Sequence, residues 1–291
     1  MKKIFLLGLV MGVLAMTGCP KADVVDVEGT FSFKVGQFEV IMLVEAERDG
    51  NTGILIDADE EVLEQYIPAD GFRHTANAFL VKTGIQNILI DTGTGADGII
   101  VEKLIKLGVQ PEEINAVLIT HLHFDHFGGL TKDGEAVFPN ASVYLSRPEL
   151  EYFGITNVNE RAVEALAPYD LQLVTFFPDE LETFEKTELL PGITPIAAFG
   201  HTPGHTLYQI ENGSEKLLII GDLLHVALVQ FAIPEISATF DIDPAEAAVT
   251  RRQVLSYAAE NGIPVGGMHI VNPGIGRVEI DGEGFKFTPV N

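Results

Sequence analysis

Histidine and aspartate crowd one short stretch of this chain. In Thr120-His121-Leu122-His123-Phe124-Asp125-His126-Phe127-Gly128-Gly129, three of the eight histidines fall within six residues, with Asp125 among them. The preceding Ala116-Val117-Leu118-Ile119-Thr120 reads as a buried strand, so the cluster emerges where a strand gives way to a loop. Side chains two apart in extended backbone project to the same side, so His121 and His123 can hold one cation. After the chain turns, Asp125 and His126 can serve a neighbouring one, and Gly128-Gly129 lets the backbone turn tightly behind them. Three imidazoles and a carboxylate packed this way would repel one another at low pH and be costly to bury unpaired, and a divalent cation relieves both problems.

Further candidate ligands follow in order: His205 in Gly200-His201-Thr202-Pro203-Gly204-His205-Thr206, Asp222 after Leu218-Ile219-Ile220-Gly221, and His269 after Gly267-Met268. Each borders a short apolar run, where side chains can converge on a rim. Together with the first cluster they supply the missing ligands of a two-metal site. Two divalent ions roughly 3.5–4 Å apart bring the pKa of a shared water towards about 7 and stabilise negative charge on the electrophile. No protein nucleophile is required, and no serine stands in a Gly-x-Ser-x-Gly elbow. Nitrogen and carboxylate ligands without thiolate suit Zn2+ first, with iron, manganese and cobalt open on ligand type.

The order His-x-His-x-Asp-His, then His, Asp and His, resembles the metallo-β-lactamase superfamily over nearly all of the chain after about residue 38. The resemblance implies an α/β fold, a four-layer αββα sandwich. It also implies a ligand set: His121, His123 and His205 on the first metal, Asp125, His126 and His269 on the second, Asp222 bridging, and Asp91 of Asp91-Thr92-Gly93 supporting the site from behind. Within the superfamily the likeness is to the methyl parathion hydrolase and acyl-homoserine lactonase branch: His201-Thr202-Pro203-Gly204-His205-Thr206 resembles both, while Gly221-Asp222-Leu223-Leu224-His225-Val226, Phe240-Asp241-Ile242-Asp243-Pro244 and Thr250-Arg251-Arg252 look more like the methyl parathion hydrolase side. Many lactonases of that branch carry a tyrosine three places after the bridging aspartate, and here that place is His225, which can protonate a leaving group or pack at the rim. The expected activity is a metal-dependent hydrolase acting on a neutral lactone, ester or phosphotriester. The alternatives are a β-lactamase or thioesterase of the same superfamily, or a zinc-binding lipoprotein without turnover. The same likeness implies a homodimer. His74 and His201 are read as surface or supporting residues.

The elements that must position these residues alternate along the chain. Strands are expected at 39–44, 53–57, 76–82, 87–91, 116–120, 142–145, 193–198, 206–211 and 217–221, with short closing runs at 264–268, 277–280 and 285–288. Ile100, Leu104 and Leu107 mark one face of a helix over 99–107, stopped by Gly108. A second helix is signalled by Asp243, Pro244 and Glu246 and ended by Gly262-Ile263-Pro264. Residues 147–190 are aromatic and irregular, either a helical excursion packed on the domain or a lid. Phe124, Phe127, Tyr152 and Phe153 either line an apolar pocket for neutral esters or pack in the core.

Composition bounds the rest. The chain has 291 residues, 46% of them apolar, enough for a sizeable core. Met1-Lys2-Lys3, the apolar run Ile4 to Met16 and Thr17-Gly18-Cys19 read as an export signal over 1–18, too short to span a bilayer comfortably. Cys19, the only cysteine, resembles the lipidated residue of a bacterial lipoprotein, so the expectation is an exported protein whose membrane contact is a lipid anchor at Cys19. Residues 19–37 are then a linker and 38–291 the hydrolase domain. Loss of Lys2 and Lys3 takes the formal charge from −24 to −26. That field repels polyanions, which excludes nucleic acid as a partner and favours a neutral small-molecule substrate.

Overall fold

The computed structural model describes residues 27–95, 98–181 and 186–290. The expected export signal over residues 1–18 and Cys19 lie outside them. Two mixed sheets form the centre. The first contains β1 (Thr30–Val35), β2 (Phe38–Asp49), β3 (Arg73–Lys82), β4 (Asn87–Ile90) and β5 (Ala116–Leu118). After a small hairpin of β6 (Thr131–Lys132) and β7 (Glu135–Ala136), β8 (Ser142–Ser146) and β9 (Leu173–Phe176) complete it in the order β1-β2-β3-β4-β5-β8-β9. The second sheet runs in chain order: β10 (Ile193–Ala197), β11 (Thr206–Asn212), β12 (Glu215–Ile219), β13 (Val265–Gly266), β14 (Ile275–Asp281) and β15 (Gly284–Pro289).

Among the described residues, seven α-helices flank them: α1 (Glu60–Tyr66), α2 (Ile99–Lys106), α3 (Phe124–Phe127), α4 (Arg147–Glu151), α5 (Glu160–Leu166), α6 (Ala227–Gln230) and α7 (Pro244–Asn261). Three apolar cores make the layering visible. Met42, Phe79, Ile90 and Leu118 of the first sheet meet Tyr208, Ile210 and Ile219 of the second. The outer face of the first sheet, through Leu43, Leu80 and Val117, packs on Ile100 and Leu104 of α2 and on Phe153 and Leu166 of the 147–170 excursion. The outer face of the second sheet, through Leu207, Leu218 and Val265, packs on Val254, Leu255 and Ala258 of α7. This is the expected αββα sandwich.

The second expected helix forms for the reasons its sequence gives. The Asp243 carboxylate accepts the Glu246 N–H at 3.0 Å, Pro244 occupies the first turn, and Gly262 ends the helix in the left-handed region. Two expectations are corrected. Residues 53–57 are not a strand, because the Asn51 side chain accepts the Gly53 N–H and winds Thr52–Ile54 into a 3-10 turn. The linker expected to run to residue 37 already contains β1, whose Phe31, Phe33 and Val35 alternate with polar Ser32 and Lys34 and pack against the inter-sheet core.

Topology brings the site together. β4 and β5 are parallel, β12 and β13 are parallel, and β11 starts beside the end of β12. The chain therefore leaves β4 at Asp91, β5 at Thr120, β12 at Gly221 and β13 at Gly267 on one rim, joined there by the loop that enters β11.

Candidate metal centre

Among the described residues, nine titratable side chains gather on this rim in overlapping groups, two of which hold seven of them. His121, His123, His201 and Asp222 each offer an atom within 4.8 Å of the others, as do Asp125, His126 and His269. Asp222 stands between the groups. Its Oδ1 lies 3.2 Å from His126 Nε2, and its Oδ2 lies 3.1 Å from His269 Nε2, 3.5 Å from His201 Nε2 and 3.7 Å from His121 Nε2.

The hydrogen bonds behind the rings decide which nitrogen faces inward. His126 Nδ1 donates to Asp91 Oδ2 at 2.7 Å, His201 Nδ1 to Asp241 Oδ1 at 2.8 Å, and His269 Nδ1 to the Thr75 carbonyl at 2.7 Å. Thr120 Oγ1 gives its own proton to Asp91 at 2.7 Å and so accepts from His121 Nδ1 at 3.1 Å. Four imidazoles thus present a bare Nε2 to the centre. Three inward nitrogens, His121 Nε2, His123 Nδ1 and His201 Nε2, lie only 3.0–3.2 Å apart. Lone pairs brought this close in a buried site need a cation among them. His126 Nε2 and Asp222 Oδ1 are buried without hydrogen-bond partners, which fits the same requirement. The donor set therefore fits a pair of divalent ions, with imidazole and carboxylate ligands and no thiolate.

Burial and the surrounding charges together act in opposite directions on the two groups, lowering the rings of the first and raising His126 and His269 of the second. Burial holds His121 and His201 well below the ordinary histidine range, with their imidazole neighbours adding to it, and pushes His123 down to about 4. Burial also opposes charge on His126, but Asp222, Asp125 and Asp91 outweigh it and hold that ring well above the ordinary value. The reverse holds for Asp222: His126, His269 and His121 overcome its burial and keep it ionised far below the usual carboxylate range.

One assignment from sequence is corrected. His205 was expected as the third ligand of the first metal and His201 as a supporting residue, and the structure exchanges them. His205 stands immediately before β11, and both its nitrogens are engaged inside the fold: Nδ1 donates to the Ala198 carbonyl and Nε2 accepts the Asp222 N–H, each at 3.0 Å. His201, four residues earlier, sits in the loop that reaches the rim. Gly221 permits this packing, since it has a φ of 52° and a Cβ there would collide with His205 Nε2.

Asp91 stands where it was expected, fully buried behind His126 and Thr120. His225 is buried, with Nε2 3.3 Å from Asp222 Oδ2 and Nδ1 without a partner. The half-buried His74 stacks on His269 with ring centres 4.5 Å apart, so all eight histidines gather at this rim.

Two buried carboxylates escaped the sequence reading. Glu149, fully buried on α4, accepts the Leu122 N–H at 2.7 Å, the Thr202 hydroxyl at 2.7 Å and the Gly204 N–H at 2.9 Å. It ties the loop of His121 and His123 to the loop of His201, and burial pushes its carboxyl up to about 7. Asp241 stands behind His201. Ser146-x-x-Glu149 resembles a helix cap in sequence, which hides a glutamate that turns inward.

Beside His225 and His269 opens an apolar cavity of about 800 Å³, lined also by Tyr66, Phe72, Leu228, Phe231 and Phe287. The aromatics expected to line such a pocket do not border this cavity, and Phe153 lines a separate one with Leu122 and Leu150. Phe127 and Phe153 are buried in the core on the outer face of the first sheet, Tyr152 packs against that core, and Phe124 is exposed under Arg161. Residues 147–170 therefore pack on the domain, with Phe153 beside His123.

The model of the metallo-beta-lactamase superfamily matches residues 71–261, well over half of the chain. This chain belongs to the metallo-beta-lactamase superfamily. Among solved structures, it is similar to the hydrolase AbOPH of the beta lactamase superfamily, with 30% identity, a TM-score of 0.80, and 91% of this chain and 99% of that one covered. It is also similar to AidC, a dizinc quorum-quenching lactonase solved with the product N-hexanoyl-L-homoserine, at 26% identity and a TM-score of 0.78 over 90% of this chain and 98% of that one. Among curated proteins, an N-acyl homoserine lactonase of Bacillus cereus is 28% identical over 156 residues, 48% of this chain and 56% of the relative. This superfamily member spans about half the length of the curated relatives it matches.

Proposed function

We propose that this superfamily member is a two-metal hydrolase, zinc being the metal its donor set suits first, which opens a neutral lactone or ester carrying an apolar tail. Phosphotriester hydrolysis follows as a side activity. The observation that carries the reading is the shared carboxylate: Asp222 faces two sets of bare imidazole nitrogens, and an apolar cavity opens beside the second set. Similarity to a dizinc lactonase and to N-acyl homoserine lactonases supports the lactone end of the range.

His121, His123 and His201 would hold one ion, Asp125, His126 and His269 the other, and Asp222 both. The pair would supply a hydroxide at neutral pH and stabilise negative charge developing on the substrate oxygen. The protein's own part begins with orientation. Asp91, Thr120, Asp241 and the Thr75 carbonyl fix ring tautomers, so the imidazoles need not reorganise during turnover. The cavity walls take the apolar part of the substrate and exclude water around it. His225, whose Nδ1 has no partner and whose ring borders the cavity, would hand a proton to the departing oxygen.

A panel of lactone, carboxylic ester, phosphotriester, β-lactam and thioester on one zinc-loaded preparation tests this. The highest kcat/KM is expected on the lactone or ester with an apolar tail. A β-lactam or thioester in first place overturns the substrate class, and tight metal binding with no turnover on any of them favours a zinc-binding protein. Export, the lipid anchor at Cys19 and the homodimer rest on sequence likeness and belong to the same proposal. Loss of membrane association in Cys19→Ser is the expected result for the anchor, and retention contradicts it.

A further inference from the structure

The buried arginine of α7 has no counterpart in the chemistry described so far. Arg251 is 1% exposed, in a helix face otherwise built of alanine, valine and leucine. Burying a guanidinium costs several kcal/mol unless its donors are met. Here they are met by one set of partners. Nε donates to the Leu223 carbonyl at 2.6 Å, Nη1 to the Pro234 and Ile236 carbonyls at 2.7 and 3.0 Å, and Nη2 to Asp241 Oδ2 at 3.4 Å. Asp241 Oδ2 also accepts the Ala238 N–H at 2.8 Å, and Oδ1 accepts from His201 Nδ1 at 2.8 Å. Leu223 directly follows Asp222. The Ile236 carbonyl is shared with Gln230 Nε2 at 2.9 Å, and Gln230 Oε1 in turn accepts the N–H groups of His225 and Val226 at 2.7 and 2.9 Å.

We propose that Asp241 and Arg251 form a positioning pair that keeps His201 in the tautomer with Nε2 bare and holds the Asp222–His225 stretch in register with it. The planar fork is what makes this possible, since lysine carries the charge but cannot span Leu223, Ile236 and Asp241 at once. Asp241→Asn keeps the shape but removes the charge. Its amide NH2 then faces either the Arg251 and Ala238 donors or the His201 N–H, and the second arrangement favours a proton on Nε2, where the lone pair is needed. The inference rests on the two-metal reading, and its test separates the two.

Zinc affinity is measured by chelator competition on wild type, Asp241→Asn, Arg251→Lys and Asp243→Ala. The last removes only the exposed cap of α7 and serves as a control for lost stability. Nitrogen-15 spectra of the imidazole rings are recorded on the same proteins in the metal-free state. Asp241→Asn is expected to weaken one of the two ions about 10–100-fold and leave the other nearly unchanged, with His201 moving from the Nδ1–H to the Nε2–H form. Arg251→Lys is expected to shift the same ion and the same ring by less, and it carries the test if Asp241→Asn does not fold. Asp243→Ala is expected to lower Tm and leave both affinities and the ring spectra as in wild type. Unchanged affinities and unchanged His201 nitrogens in a folded Asp241→Asn overturn the proposal, as does an equal weakening of both ions. Wild type that binds no ion overturns the two-metal reading instead, while the ring spectra still decide the tautomer.

Discussion

Exchanging the roles of His201 and His205 has consequences of different kinds for two alanine variants. His205→Ala leaves the Asp222 N–H and the Ala198 carbonyl without partners inside the fold. Each buried orphan costs about 1–3 kcal/mol. With about 2–4 °C of Tm per kcal/mol in a domain of this size, the metal-free protein is expected to melt on the order of 10 °C lower. It retains the donors of both groups and still takes up two zinc ions at saturation. His201→Ala removes one of three nitrogens that crowd within 3.0–3.2 Å, and Asp241 keeps its bonds to Ala238 and Arg251. Its metal-free Tm falls less, while one of the two ions is lost at concentrations that saturate wild type. Equilibrium dialysis with metal analysis, beside thermal melts of stripped protein, reads both quantities. A folded His205→Ala that binds a single ion, together with a His201→Ala that keeps two, would refute the assignment.

Two further outcomes follow from buried groups and from the cavity. Glu149 has a folded pKa pushed up to about 7 from an ordinary 4.5, so its contribution to stability is complete below pH 4.5 and is lost as pH rises through 7. Glu149→Gln lacks this titration, and its stability relative to wild type is expected to gain about 3 kcal/mol between pH 4.5 and 8, read from urea midpoints of stripped protein; a constant difference across that window contradicts the buried carboxyl. Leu228, 46% exposed, lines the apolar cavity. Leu228→Asp is expected to raise KM roughly 10–100-fold for substrates with an apolar tail and to change kcat much less, and an unaltered KM places the tail elsewhere.

The sandwich was legible because its signals are local and repeated. Val40–Leu43 and Leu217–Ile219 are apolar runs of strand length, and Asp243-Pro244-x-Glu246 states a helix start in residue types alone. The metal donors on strand ends were readable for the same reason: the residues after β5, β12 and β13 are forced to the rim. The loop ligand was not. His201 and His205 lie in one seven-residue motif, and only the tertiary fact that His205 packs under Gly221 tells them apart. Glu149 and Asp241 were hidden more deeply, since a buried carboxylate that accepts backbone N–H groups from distant loops looks in sequence like a cap or an exposed charge. The walls of the cavity come from α1, α6 and β15, elements far apart in the chain, and no spacing rule joins them.

The most direct test of the two-ion centre is a titration of stripped protein with zinc, following bound metal and lactone turnover together. Turnover is expected to be absent in the stripped protein and to reach its plateau at two ions per chain. Full turnover without metal, or a plateau of binding at one ion or fewer, would contradict a centre built around Asp222.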